Sequence, residues 1–232
     1  MNNFTDTEQE AVKKTWAGEK AKLKQMSFGE KLEYIWAYYK LHILVIVLIL
    51  GAITWGVHHA LTYVQYRLYG MVINSSQFNE ELNTTLHDTL DMAKHDGINI
   101  TADLYTDESA NMGGYGNRLD IYVMSGQLDF AFTDKEGVDY LVNMGAIRAI
   151  EDLAPDYLLA EWSDDKLYEA SVVGDDGNTY SGNVAVDISD SPIHEYFGLD
   201  DNTNYLVIAD LSGSEEYMNN FYKLLYEIEE GE

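Results

Sequence analysis

The sequence predicts an α/β domain joined to one membrane-spanning helix. Two observations carry this. An apolar run from Leu41 to Tyr63 holds no Asp, Glu, Lys or Arg. Beyond it, a strand-like run, a helix-period segment and a second strand-like run follow one another from residue 70 to 105.

Three segments follow: a cytoplasmic N-terminal and juxtamembrane helical part (1–40), a transmembrane helix (41–64) and an extracellular α/β domain (65–232). Residues 5–25 are polar and helix-prone, compatible with a surface amphipathic helix or a frayed tail. Ser27 and Glu30 stand three apart, the spacing of a capping box. A helix is therefore expected over Lys31–Lys40, running on into the membrane. About 20 apolar residues cross a bilayer, so 41–64 is long enough with some tilt. Tyr34, Trp36, Tyr38 and Tyr39 before it, and Tyr63, Tyr66 and Tyr69 after it, form the aromatic flanks of an interfacial belt. Lys13, Lys14, Lys20, Lys22, Lys24, Lys31 and Lys40 precede the run, and Arg67 is the nearby cation that follows it. The positive-inside bias puts the N-terminus in the cytoplasm, as a signal anchor in the cell membrane. His42, His58 and His59 fall near the ends of the span, where interfacial water reaches them.

In the outer domain, Gly70–Asn74 reads as a strand ending in turn formers. From Asn79 to Lys94, Leu82, Leu86, Leu90 and Ala93 recur at helical spacing, with Gly97 expected to close the helix. Residues 98–105 alternate as a second strand. Strand, helix and strand over this length make a βαβ unit with parallel strands. Asn111–Asn117 is a Gly-rich turn without the Gly-Lys-Ser/Thr ending of a phosphate loop. Leu119–Met124 follows as helix or strand, then a short strand within 125–134 and a helix over 137–144.

Composition narrows the chemistry. Asp+Glu number 40 against 14 Lys+Arg, for a formal net charge of -26, so nucleic acid is excluded as a partner. With no cysteine, there is no disulfide, thiolate metal site or Cys nucleophile. Gly174–Asn178 has the look of a calcium loop but lacks its ligand register, and reads as a hairpin turn. Asp187, Asp190, Asp200, Asp201 and Asp210 are spread over loops and read as a solvated acidic face, with weak extracellular calcium binding as the alternative. His87, His95 and His194 stand in no nucleophile or metal motif. The expectation is no enzyme, no cofactor and no metal. Tyr105, Tyr115, Trp162 and Tyr180 lie in or near expected loops, as candidate ligand contacts on a cleft rim.

Ser125-Gly126, Asp129, Gly145 and Asp152-Leu153, within the run from Ser125 to Asp156, resemble a recurring pattern in the N-terminal lobe of extracellular solute-binding proteins of ABC importers. Gly177–Val186 resembles that family's hairpin. Tyr205–Ala209 with Glu215–Tyr226 resembles its strand and packing helix. The resemblance implies a single lobe with a mixed sheet flanked by helices. The family has two lobes and captures ligand between them, and this domain has room for one. Lys31–Lys40 also resembles the run before the membrane in uncharacterised single-pass proteins of anaerobic Gram-positive bacteria. Together these imply a non-enzymatic, membrane-anchored accessory protein that recognises a ligand or partner and docks on an ABC transporter or envelope complex. Two alternatives remain: a solute receptor for a small molecule such as a sugar, and a degraded hydrolase or adhesin domain.

Overall fold

A computed structural model describes residues 20, 24, 26–107, 118–173 and 179–231. The chain divides into two units, Met1–Thr62 and Tyr63–Glu232. The expectations for residues 5–25 fall almost wholly outside the described residues, and those for the Gly-rich turn and Gly174–Asn178 wholly so.

In the first unit, the described residues from Phe28 to Thr62 form one helix, α1, of 35 residues. At about 1.5 Å per residue it is about 50 Å long, more than a bilayer's hydrocarbon core. None of its residues is buried, and its most apolar 18-residue window has a mean hydropathy of 2.2. A soluble core helix would be covered, whereas this one is apolar and bare. Its N-terminus carries the expected box. Ser27 N donates to Glu30 Oε2 at 2.8 Å, and Glu30 N reaches Ser27 Oγ at 3.5 Å. Trp55 stacks on His59 with ring centroids 5.7 Å apart.

The second unit is an open six-stranded mixed sheet. Its strands are β1 (Gln65–Ile73), β2 (Asp96–Leu104), β3 (Phe130–Thr133), β4 (Leu167–Val173), β5 (Thr179–Asp187) and β6 (Tyr205–Ile208), in the order β2-β1-β3-β6-β5-β4. β1 pairs parallel with β2 and with β3, and the β3-β6, β6-β5 and β5-β4 pairs are antiparallel. Helices α2 (Leu82–Thr89), α3 (Arg118–Met124), α4 (Lys135–Asn143), α5 (Asp156–Leu159), α6 (Pro192–Phe197) and α7 (Glu215–Glu230) complete the fold. The βαβ unit is present as β1-α2-β2.

Both sheet faces are covered, so the central strands read as continuous apolar runs rather than alternating ones. Leu68, Val72, Phe130, Phe132, Leu206 and Ile208 share a core with the buried sides of α2, α6 and α7. Met71, Ile73, Ala131, Val207, Leu119 and Val138 form the other core, with α3 and α4. On the first face, Phe130 stacks on Phe221 at 4.1 Å and Phe132 meets Phe197 at 4.5 Å.

Several boundaries differ from expectation. α2 stops at Thr89, and Gly97 does not close it. Asp91 does, with φ of 50°, while Met92 N donates to His87 O at 3.0 Å. Aspartate tolerates the left-handed conformation that terminates a helix, so the stop came without a glycine. Ala93 is exposed. Gly97 instead lies in β2 opposite Tyr66. Leu119–Met124 is helix. Neither β4 nor α6 was expected from the sequence. α6 starts where Ser191 Oγ accepts from Ile193 N at 3.0 Å, just before Pro192.

Gly70 lies under an aromatic ring. A Cβ there would fall 2.6 Å from Phe130 Cε2 and 3.1 Å from Ile100 Cγ1. Gly70→Ala should therefore destabilise the domain by about 1–3 kcal/mol, the usual cost of overpacking a core. Chemical denaturation of the full chain in detergent, followed by circular dichroism, would read this. An unchanged midpoint would mean that the Phe130 ring yields freely.

Candidate functional site

Sheet order directs attention to one crevice. The chain leaves β1 for β2 on one side and returns to β3 on the other. In open α/β sheets, ligands bind outside the carboxyl ends of the strands where the order reverses in this way. Here those ends are Asn74 after β1, Asp134 after β3 and, beside them, Tyr105 and Thr106 after β2.

Asn74 links all three. It sits at φ 60°, one of the few side chains at ease there. Its Oδ1 accepts from Thr106 N at 2.9 Å, which fixes the amide orientation, and its Nδ2 donates to Asp134 Oδ1 at 2.9 Å. Asp134 also caps α4, accepting from Gly137 N at 2.8 Å. Thr106 Oγ1 donates to Glu136 Oε1 at 3.2 Å. Nearby, Ser75 Oγ donates to Asp200 Oδ2 at 2.6 Å, while Asp200 Oδ1 accepts from Asn202 N, Thr203 N and Thr203 Oγ1. Burial pushes the Asp200 carboxyl up, but the bonds from Ser75, Thr203 and Asn202 outweigh it and hold the group below the usual range. Asp200 therefore stays ionised and acts as a fixed acceptor.

The three aromatic candidates among the described residues are not brought together. Tyr105 is half-buried at the crevice, its OH 3.4 Å from Asp103 Oδ1. Tyr115 lies outside the described residues. Trp162 is 3 % exposed and packs in the core shared with Leu158 and Tyr222. Its large apolar surface decides its place, so it lines no open rim. Tyr180 is exposed on β5, opposite Val172 of β4. The sequence reading missed Asn74, Ser75, Thr106 and Asp134. The signal it had was the turn-forming end of the first strand. Among the described residues, no three His, Cys, Asp or Glu side chains converge to hold a metal ion.

At the opposite end of the sheet, Asp129 is fully buried. Its Oδ2 accepts from Tyr69 N and its Oδ1 from Ser212 N, each at 2.8 Å. Burial pushes its carboxyl up, with nearby Asp210 adding to the rise, against the bonds from Ser212 and Tyr69. Above this group is an open cavity of about 300 Å³, bordered by β1 (Gln65, Arg67), the turn before β3 (Ser125, Gln127) and the segment before α7 (Ser212, Ser214).

Comparison with family models, with curated proteins and with solved structures finds no match.

A carboxyl raised above its unfolded value of about 3.9 binds more protons folded than unfolded between the two pKa values. Its contribution to stability is fully present below about pH 4 and is lost as pH rises through the raised value. Asp129→Asn removes that dependence and turns an amide N–H₂ against one of the two backbone donors, at about 1–3 kcal/mol. The stability gap between the parent chain and this variant should therefore narrow as pH rises from about 4 upward. Urea midpoints across that range are the measurement, and a constant gap would contradict the assignment.

Proposed function

We propose that the chain is a single-pass, membrane-anchored, non-enzymatic accessory protein. Its lysine-bearing N-terminus lies in the cytoplasm and its α/β domain outside. The domain recognises a ligand or a partner protein at the carboxyl end of β1 and β3, and docks on a transporter or a larger envelope complex.

The observation that carries this reading is α1, 35 residues long without one buried residue. A bare apolar surface of that length has bilayer as its fitting surroundings. Direction rests on the basic residues, which gather before the span. The absence of chemistry rests on how the crevice carboxylates are used. Asp134 caps a helix and Asp200 ties a loop, so both hold shape rather than carry protons. A general base needs a free face toward substrate and a pKa near the working pH, and Asp200 is displaced the other way.

A solute receptor is the second reading. The reversal of strand order at β1 and β3 favours it, as does the resemblance of Ser125–Asp156 to solute-binding proteins. The two readings predict different occupants for one place.

Because the chain has no cysteine, single cysteines report topology cleanly. On intact cells, an impermeant maleimide should label Ser189→Cys, and should label Lys24→Cys only after permeabilisation; the reverse pattern would overturn the orientation. A photo-crosslinking residue at Tyr105 or Glu136 should trap a discrete membrane protein, whereas one at Glu216 should not. If no species is trapped and a small solute raises the melting temperature, the receptor reading replaces this one.

A further inference from the structure

The cavity at the amino end of β1 differs in chemistry from the rest of the domain. The chain carries 40 Asp+Glu against 14 Lys+Arg, yet no carboxylate side chain lines this cavity and one guanidinium does. Ser212 Oγ donates to Arg67 O at 3.2 Å and Ser125 Oγ to Tyr122 O at 2.9 Å, so these two hydroxyls fix the walls. Donors remain on Arg67, on the amides of Gln65 and Gln127, and on Ser214. Arg67 is half-exposed, and its Nε pairs with Asp96 Oδ1 at 3.5 Å. A guanidinium carries about five N–H donors in a fork suited to phosphate.

Around this donor-rich hollow lie exposed apolar and aromatic side chains: Tyr66 and Leu211 on its border, Val64 one residue before β1 and Met124 beside Ser125. Tyrosine rings settle at the headgroup level, and exposed apolar side chains beside them reach the headgroup–acyl boundary.

Connectivity adds a constraint, given the membrane reading proposed above, on which this inference rests. α1 ends at Thr62 and β1 begins at Gln65. A chain step spans at most about 3.6 Å, so a helix in the bilayer keeps the start of β1 within about 10 Å of where that helix ends. That is about one Debye length, so the headgroup phosphates lie within reach of the charges at this end of the domain. Asp96, paired with Arg67, and Glu215 and Glu216 at the start of α7 flank this end, but the cavity itself is lined by Arg67 and by no carboxylate, so an acidic domain tethered so closely meets least repulsion when it turns this cavity to the lipid.

We propose that this end of the domain rests on the bilayer and that the cavity receives the phosphate of a phospholipid headgroup. Arg67 supplies the charge, and Gln65, Gln127 and Ser214 the further donors. Tyr66, Met124 and Leu211 sit among the headgroups.

The test uses the full chain in phosphatidylcholine nanodiscs, with a single-cysteine fluorophore and quenchers attached either to lipid headgroups or to acyl chains. A probe at Ile46→Cys should be quenched by the acyl-chain quencher, which reports the membrane reading by itself. A probe at Ser125→Cys should be quenched by the headgroup quencher several-fold more than one at Asp201→Cys, in the loop before β6. Arg67→Gln should weaken the Ser125 signal and Lys223→Gln should leave it unchanged. Equal quenching at Ser125 and Asp201, with Ile46 still quenched, overturns the docking and leaves the anchor intact. An unquenched Ile46 probe overturns the anchor, and the docking with it. Loss of the Ser125 signal on adding millimolar inorganic phosphate would show a site for free phosphate, and the lipid source would fall.

Discussion

The buried carboxylate of Asp129 holds together the two halves of the sheet. β3 is the strand at which parallel pairing gives way to antiparallel pairing, and Asp129 stands at its entry. Its backbone N donates to Tyr69 O, and its backbone O accepts from Ala209 N and Asp210 N. Its side chain takes the N–H of Tyr69 on one side and of Ser212 on the other. One residue thus satisfies groups from β1 and from the segment leaving β6, where neither ladder reaches. Without it, buried donors on both sides would lose their acceptors, at about 1–3 kcal/mol each. Burial disfavours the charged form and the two backbone bonds favour it; burial prevails.

Asp129 also keeps the two ends of the sheet different. At the carboxyl end, Asn74, Thr106 and Asp134 bond to one another across the reversal of strand order and fill the crevice with a fixed polar surface. At the amino end, Asp129 takes its bonds inward, and Arg67, Gln65 and Gln127 border an open hollow. A crevice filled by mutually bonded side chains offers a ready-made surface to a partner at little ordering cost. An open hollow with unclaimed donors suits a small polar group. The two ends of one sheet thus present different polar chemistry, one closed by mutual bonds and one open.

How much of this was legible in the sequence follows from where the information lies. The capping box of α1 and the strand-helix-strand unit are local patterns, and they are present in the structure. The run at β3 was legible because both of its faces are buried, which leaves Phe130 to Phe132 apolar, and the strand at β6 was expected from the resemblance. The end of α2 was misplaced because an aspartate in the left-handed conformation replaced the expected glycine. β4 escaped notice because it is an edge strand with a mixed pattern, Leu167–Val173, held by its pairing with β5. Trp162 was drawn to the surface by its loop context and is buried by its size. The links from Asn74 to Asp134 and from Ser75 to Asp200 span 60 and 125 residues. Such contacts leave no periodic trace, since only the fold brings their ends together.

Charge gives the last step. The domain is strongly acidic, yet among the described residues the ion pairs are Arg67 with Asp96, and His87 with Asp88 when that histidine is protonated. With no cysteine there is no disulfide either. Its stability therefore rests on two apolar cores, one on each face of the sheet, and on buried backbone bonds such as those to Asp129. Surface ion pairs contribute about 0–1 kcal/mol each, so their scarcity costs the fold little. What the excess of carboxylates changes is the domain's surroundings. It repels anionic surfaces and other copies of itself, and attracts basic partners. In the membrane-anchored reading proposed above, a tether of two residues opposes that repulsion at one end of the sheet only. The chemistry of that end, one arginine and no lining carboxylate, is what the opposition requires.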